Sequence, residues 1–281
     1  MIQIDHSVEP VFLNSYQVTA ALNRARVRAG ATQIPVIEKS DELWRNTEVT
    51  DKLHESHHGK CCYCERKRDR KREMDVEHYR PKGGVDNDED HLGYWWLAFT
   101  WENLLWSCKT CNQKHKKTEF TLLPGGTRGY QEDHDLKIER PCLINPKNED
   151  PIRFISFHHD SYGGRYFIRA IPRLGMSYND TLRADETIRV VGLNRKEPGY
   201  DLIEERGKAV EGTSFFINVY NILRAKDALN SVDLEHRQAY LDIINSSSEK
   251  IKGYINSDRV FSGVYRDYLR RKNIGYENFL A

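Results

Sequence analysis

Two cysteine pairs, Cys61/Cys64 and Cys108/Cys111, constrain this chain more than any other feature. Each pair lies in a Cys-x-x-Cys turn, where two thiolates can point at one ion. Together they supply four ligands, enough to close a tetrahedral Zn²⁺ site with no open position for chemistry. If they share one ion, the stretch between Cys64 and Cys108 must return to its starting point. Cys62 is adjacent to Cys61 and has the wrong spacing to join, so Cys62 and Cys142 read as ordinary buried thiols. His57 and His58 are surplus once four cysteines are available.

Two other uses of four cysteines remain open on spacing alone: disulfides and an iron–sulfur cluster. The N-terminus shows no basic, apolar, small-residue export pattern. A cytoplasmic location is therefore the expectation, and there thiols stay reduced and paired turns favour metal. Zinc is the metal that four thiolates suggest first.

The 281 residues carry 43 Lys+Arg against 42 Asp+Glu, a net charge of +1, so any strong basic patch must be local. The length suffices for a buried core, and two subdomains are expected from it. No apolar run is long enough to span a bilayer, so no membrane association is expected. No Gly-x-x-x-x-Gly-Lys-Ser/Thr loop occurs. Gly83-Gly84, Gly125-Gly126 and Gly163-Gly164 read as turns, and any use of ATP must come from a partner.

Between the cysteine pairs, residues 74–81 (Met-Asp-Val-Glu-His-Tyr-Arg-Pro) predict a short strand ending at Pro81, which disfavours helix at Arg80. Residues 101–107 predict a second short strand with its loop. Residues 111–117 predict the start of a helix, with Asn112 in its first turn. The order is strand, long loop, strand, helix.

That order, with Glu77-His78 on the first strand, Asn103 in the middle and Asn112 after the last cysteine, resembles the HNH nuclease family and its ββα-metal fold. The resemblance covers roughly residues 59–120, and the cysteine pairs match the family's zinc-stapled branch. The third family position, often His, is Asn112 here. His115 lies three residues on, so either could be the second protein ligand to a catalytic ion. Within the family, residues 59–65, 77–82 and 103–108 look like the HNH nucleases of anti-phage defence operons, the Septu type (PtuB-like), some of them retron-associated. Asn145-Pro146 and Gly192-Leu193-Asn194 are shorter matches to the same group. The resemblance implies a defence role beside an ATPase (PtuA-like), and possibly beside a retron reverse transcriptase with its DNA–RNA.

Phosphodiester hydrolysis needs an activated water, charge stabilisation and help for the leaving oxygen. His78 is the candidate general base, because imidazole titrates near neutral pH. Glu77 would hold Mg²⁺ or Mn²⁺ together with Asn112, His115 or both. Asn103 would pin the long loop and orient His78 through a backbone carbonyl. Neighbouring strand residues face opposite ways, so a bulge or the strand end must re-aim Glu77 or His78. Arg80, Lys82, Lys114, Lys116 and Lys117 flank the site as candidate phosphate contacts, and the charged run 65–72 lies just before it. The aromatic stretch 91–99 invites base stacking, but Trp95, Leu97 and Trp106 fit a small module's core better.

Before the site, residues 18–28 predict a helix ended by Gly30. Ser40 is a candidate cap for a second helix through Leu53. After it, residues 124–151 are turn-rich. Residues 152–157 and 166–171 predict a β-hairpin around residues 162–164. From Thr181 the pattern is helical: Phe216, Val219, Tyr220 and Leu223 share one face, as do Tyr240, Ile244, Ile251 and Ile255. That region reads as a supporting layer or as the dock for an ATPase partner.

The expected protein is α+β: a ββα-metal HNH module with a Cys₄ zinc knot, flanked by helices, with a β-hairpin and a mainly helical C-terminal region. The expected divisions are 1–58 (helical), 59–122 (nuclease module), 123–180 (linker and hairpin) and 181–281 (helical). The expected activity is hydrolysis of nucleic acid, DNA favoured and tRNA possible. The alternative is a zinc-stabilised nucleic-acid-binding or assembly subunit without hydrolysis.

Overall fold

The computed structural model describes residues 1–4, 8–86, 88–163, 165–197, 200–211, 213–223 and 232–279. Gly164, in the expected hairpin turn, lies outside the described residues. The chain is α+β, with small antiparallel strand pairs set among helices.

Helix α1 spans Tyr16–Gly30, and the Ser15 side chain accepts from Val18 N at its start. Helix α2 spans Thr47–Ser56. Its cap is Asn46, whose side chain accepts from Glu48 N, and not Ser40. Residues 39–45 instead form two short 3₁₀ turns. The tertiary reason is visible at two side chains. Asp41 is buried under Arg24 and Arg28, and Trp44 is buried in the core. A regular helix from Ser40 would have to satisfy both at once with fixed spacing.

Strand β1 (Met74–His78) pairs with β2 (Leu104–Cys108) in antiparallel register from Met74↔Cys108 to His78↔Leu104. All ten residues of this pair are buried, because knuckle, loop and helices cover both faces. A seven-residue π-helical turn, Thr110–Lys116, follows β2. The long loop between the strands folds back on itself at Gly93 (φ +83°). A Cβ there would come within 2.4 Å of the backbone at Lys82 and Gly84. Trp95, Trp96, Trp101 and Trp106 are buried, so the aromatic stretch is core.

Strands β3 (Ile155–Tyr162) and β4 (Arg165–Pro172) form the hairpin. Ile152 belongs to a preceding 3₁₀ turn and not to the strand, because Asp150 caps that turn by accepting from Ile152 N. Helix α3 (Tyr178–Val190), the strand pair β5/β6 (Lys196–Glu197 and Tyr200–Asp201) and helices α4 (Leu202–Glu211), α5 (Ser214–Leu223), α6 (Arg237–Ile255) and α7 (Ser262–Arg271) complete the described chain. In α6, Ser247, Ile251 and Ile255 are buried at helical spacing, so the helix continues through its serine run. One hydrophobic cluster runs from Met1 to Phe279. Among the described residues no helix is long and apolar enough to cross a membrane.

Candidate metal knuckle and catalytic pocket

The four cysteines of the two Cys-x-x-Cys turns converge. Their sulfurs lie within 4.8 Å of one another and all four residues are buried. Cys64 Sγ and Cys108 Sγ are 3.9 Å apart. Sulfurs at about 2.3 Å from a tetrahedral zinc stand roughly 3.8 Å apart, so this cluster could hold a structural metal such as zinc. Cys62 and Cys142 are buried free thiols outside the cluster. The first turn is fixed to β2 by Cys62 N donating to Trp106 O. His57 is no ligand. Its Nδ1 meets Leu53 O at 2.7 Å and its Nε2 accepts from Trp106 N at 3.1 Å.

Beside β1 is a cavity of 230 Å³, walled by Asp75, Glu77, His78, Lys82, Asn112 and Lys117 among others. No residue is inserted in β1 to expose Glu77 and His78 together, since the register runs without a slip. Both reach the cavity because β1 ends at His78, before Pro81.

His78 Nε2 meets the Ala98 carbonyl at 3.0 Å. That contact needs a proton on Nε2 and leaves the lone pair on Nδ1. Trp44 packs edge-on against the ring, centroids 4.9 Å apart. Burial, with Lys82 second, pushes the imidazole well below its usual pKa and holds it neutral. Asn103 fixes the backbone on both sides of this contact. Its Oδ1 accepts from Arg80 N at 2.8 Å, and its Nδ2 donates to Arg80 O and to Leu97 O, the neighbour of Ala98.

Glu77 is buried, and among the described residues its polar contacts fall on Oε1: Lys116 Nζ at 2.8 Å and Tyr63 OH at 3.1 Å. Burial pushes this carboxyl up, while Lys116 and Tyr63 hold it down. Asn112 donates from Nδ2 to Val76 O at 3.3 Å. Glu77 Oε2 and Asn112 Oδ1 therefore remain for a ligand. These are oxygen donors of the kind Mg²⁺ or Mn²⁺ takes, so the residues fit such an ion.

The structure separates the other expected site residues. His115 is not on the cavity wall. Its ring packs on Gly192 (φ +61°), where a Cβ would come within 2.5 Å, and its Nε2 is 4.0 Å from Glu197 Oε1. Lys82 and Lys117 line the cavity, and among the described residues neither forms an ion pair. Lys82 Nζ sits 4.7 Å over the Trp44 ring. Arg80 is paired with buried Glu139 at 2.7 Å, and Lys114 with Glu197 at 2.7 Å. Lys116 has no exposed surface, so it cannot reach a phosphate. It donates to His78 O at 3.0 Å as well as pairing with Glu77. The run 65–72 is largely tied up: Glu65 with Lys60, Arg66 with Glu205, Arg68 with Glu73, Arg70 with Asp51.

Sequence reasoning missed Arg45, Asp75 and Gln113. Asp75 accepts from Gln113 at 2.9 Å and pairs with Arg45 at 3.2 Å on the cavity wall. A period-2 reading of β1 puts Asp75 on the face of Glu77. Nothing in the local sequence brings Arg45 there. Beyond Arg45, Lys82 and Gly83 the cavity opens into a groove of 740 Å³ lined by Pro35, Val36, Ile37 and Lys39.

These features define the class: an α+β protein built around a four-cysteine knot, consistent with a zinc-knot module, with a carboxylate–imidazole–amide pocket on the adjoining strands. No model of a known protein family matches the chain. Its relationship is to PtuB-like proteins. It is 27% identical over 217 residues to a Septu protein PtuB of Bacillus mycoides (strain KBAB4), covering 75% of this chain and 68% of that protein. It is 28% identical over 195 residues to a Septu protein PtuB of Bacillus thuringiensis, covering 69% of this chain and 63% of that protein. The matches thus span about two thirds of the relatives' own length.

Proposed function

We propose that this chain is a metal-dependent endonuclease of the HNH type, and that it serves as the PtuB-like component of a Septu anti-phage defence system beside an ATPase partner. The observation that supports hydrolysis is the set of uncommitted atoms at one cavity: His78 Nδ1, Glu77 Oε2 and Asn112 Oδ1. The similarity to proteins named Septu PtuB supports the defence role.

In this reading His78 takes the proton of the attacking water at Nδ1, while the Ala98 carbonyl keeps Nε2 protonated. Glu77 and Asn112 would hold a divalent ion, which would supply Lewis-acid stabilisation of phosphate charge when bound. Lys82 and Lys117 position the phosphate. The groove past Arg45 and Lys82 carries the flanking nucleotides, with Lys39 on its cationic side and Pro35, Val36 and Ile37 on its apolar side. DNA and tRNA are both accepted candidates, since the groups named read phosphate and not sequence.

The test is cleavage of plasmid DNA and total tRNA by purified protein with Mg²⁺ or Mn²⁺, beside His78→Ala, with and without the products of neighbouring genes. Cutting that needs metal and His78 supports the reading and names the substrate. Nucleic-acid binding without cutting, even with the neighbouring products present, replaces it with a binding module.

A further inference from the structure

Two arginines are buried with no carboxylate to balance them. Arg195 is 7% exposed and Arg206 2%. Among the described residues neither forms an ion pair with Asp or Glu. Arg195 Nη1 donates to Cys111 Sγ at 3.2 Å and to Gly192 O at 3.1 Å. Among the described residues its Nε has no hydrogen-bond partner. Arg206 has one long contact, Nη1 to Ile168 O at 3.5 Å, and stacks over Phe157. A guanidinium cannot shed its proton in a protein, and burying one without a counter-charge carries a large desolvation penalty.

The counter-charge available is sulfur. Arg195 touches Cys111 Sγ, whereas among the described residues Arg206 contacts the Ile168 carbonyl and the Phe157 ring and no sulfur. Four neutral thiols would supply nothing. Four thiolates around one divalent ion carry a net charge of two minus, which the Arg195 guanidinium against Cys111 offsets in part.

We infer that Arg195 is a built-in counter-ion of a tetrathiolate–divalent-metal centre, and that it also positions Cys111 within it. The local backbone delivers Arg195 rigidly. Gly192 packs against the His115 ring in the turn that carries Cys111. Asn194 is clamped to β4, accepting from Ala170 N at 2.8 Å and donating to Ala170 O at 2.7 Å. The segment 192–195 therefore hooks the hairpin layer onto the metal knot. This inference rests on the metal-binding reading of the four cysteines and is independent of hydrolysis.

The test uses the full chain as parent, Arg195→Gln, Arg195→Lys and Arg206→Gln. Zinc content, the rate of zinc release to a chromophoric chelator, and the sulfur-to-Co²⁺ charge-transfer band of the cobalt-substituted protein are measured. The parent is expected to hold stoichiometric zinc. Arg195→Gln should release it roughly 10- to 100-fold faster, the usual range for a lost outer-shell partner, with a shifted cobalt band. Arg206→Gln removes a buried arginine that makes no sulfur contact and should stay near the parent, and Arg195→Met replaces Arg195→Gln if the latter does not fold. Arg195→Lys should stay near the parent. Parental release from Arg195→Gln, or equally fast release from Arg206→Gln, overturns the inference. So does equally fast release from Arg195→Lys and Arg195→Gln, which would make the role one of shape. A parent without thiolate-bound metal overturns the knot reading itself, and that result is read on the parent alone.

Discussion

The two sites flanking the β1/β2 pair are built on opposite plans. At the knot, four sulfurs face one another, with an arginine against Cys111 and the first turn fastened to β2. At the pocket, each key side chain is fastened by one atom and presents another: Glu77 by Oε1, Asn112 by Nδ2, His78 by Nε2. A closed donor set suits stability, and a half-committed one suits a reaction. The difference teaches where to look for chemistry in a small module, since burial alone does not distinguish the two. Glu77 is as buried as Cys64.

The contrast is broken most severely at the knot. Cys64→Ser should abolish metal retention and cost at least about 4 kcal/mol of stability, the range in which loss of a structural metal falls. Denaturant midpoints with and without added zinc measure it, and an unchanged midpoint would make the knot ornamental. Next is Lys116→Met, which strands the buried Glu77 carboxylate. About 3–5 kcal/mol should be lost, as when one partner of a buried pair is removed, and the double change with Glu77→Gln should recover much of it. In the pocket, His78→Ala should lower cleavage by about 10²- to 10⁴-fold, the usual share of a general base, while thermal melting shifts far less than in the Cys64 variant. Asn103→Ala, which frees the loop carrying Ala98, should lower cleavage by a smaller factor and leave metal content untouched.

The smallest effect is a pH dependence. Burial, with Lys147 second, pushes His57 down to about 3, against about 6.5 in an unfolded chain. A depressed folded pKa means that the unfolded chain binds a proton the folded chain refuses. Stability is therefore full above pH 6.5 and falls as the pH drops towards 3. The loss is on the order of 1 kcal/mol at pH 5.5 by linkage. His78 is displaced in the same direction and adds to the slope. Urea titrations at pH 7.5 and 5.5 read the difference, and His57→Gln should flatten it.

The knot was legible because its information is local and redundant: two identical spacings of a rare residue. The strand–loop–strand–helix order was legible for the same reason, since Pro81 and the alternation in 74–78 act over a few positions. The start of α2 was misplaced because Ser40 and Asn46 are equally good caps locally, and the choice fell to Asp41 and Trp44 through contacts with α1 and the core. Lys116 looked like a surface cation, since three of the residues around it are Lys or His. Its inward turn follows from the widened geometry of residues 110–116 and from the waiting carboxylate of Glu77. Arg45 and Arg195 reach their sites from remote segments, and such placement leaves no periodic trace in a single sequence.

The turn Thr110–Lys116 carries Cys111 near its start, Asn112 next and Lys116 at its end, and Lys117 N closes on Asn112 O at 2.6 Å. One ring of backbone thus spaces a knot ligand, a pocket amide and a pocket counter-ion. Inserting or deleting a single residue there would swing everything beyond it by roughly 100° about the helical axis. Natural or engineered variation can therefore recolour the side chains of this stretch while its length stays fixed, which makes its residue count a sharper fingerprint of working copies than any one of its letters.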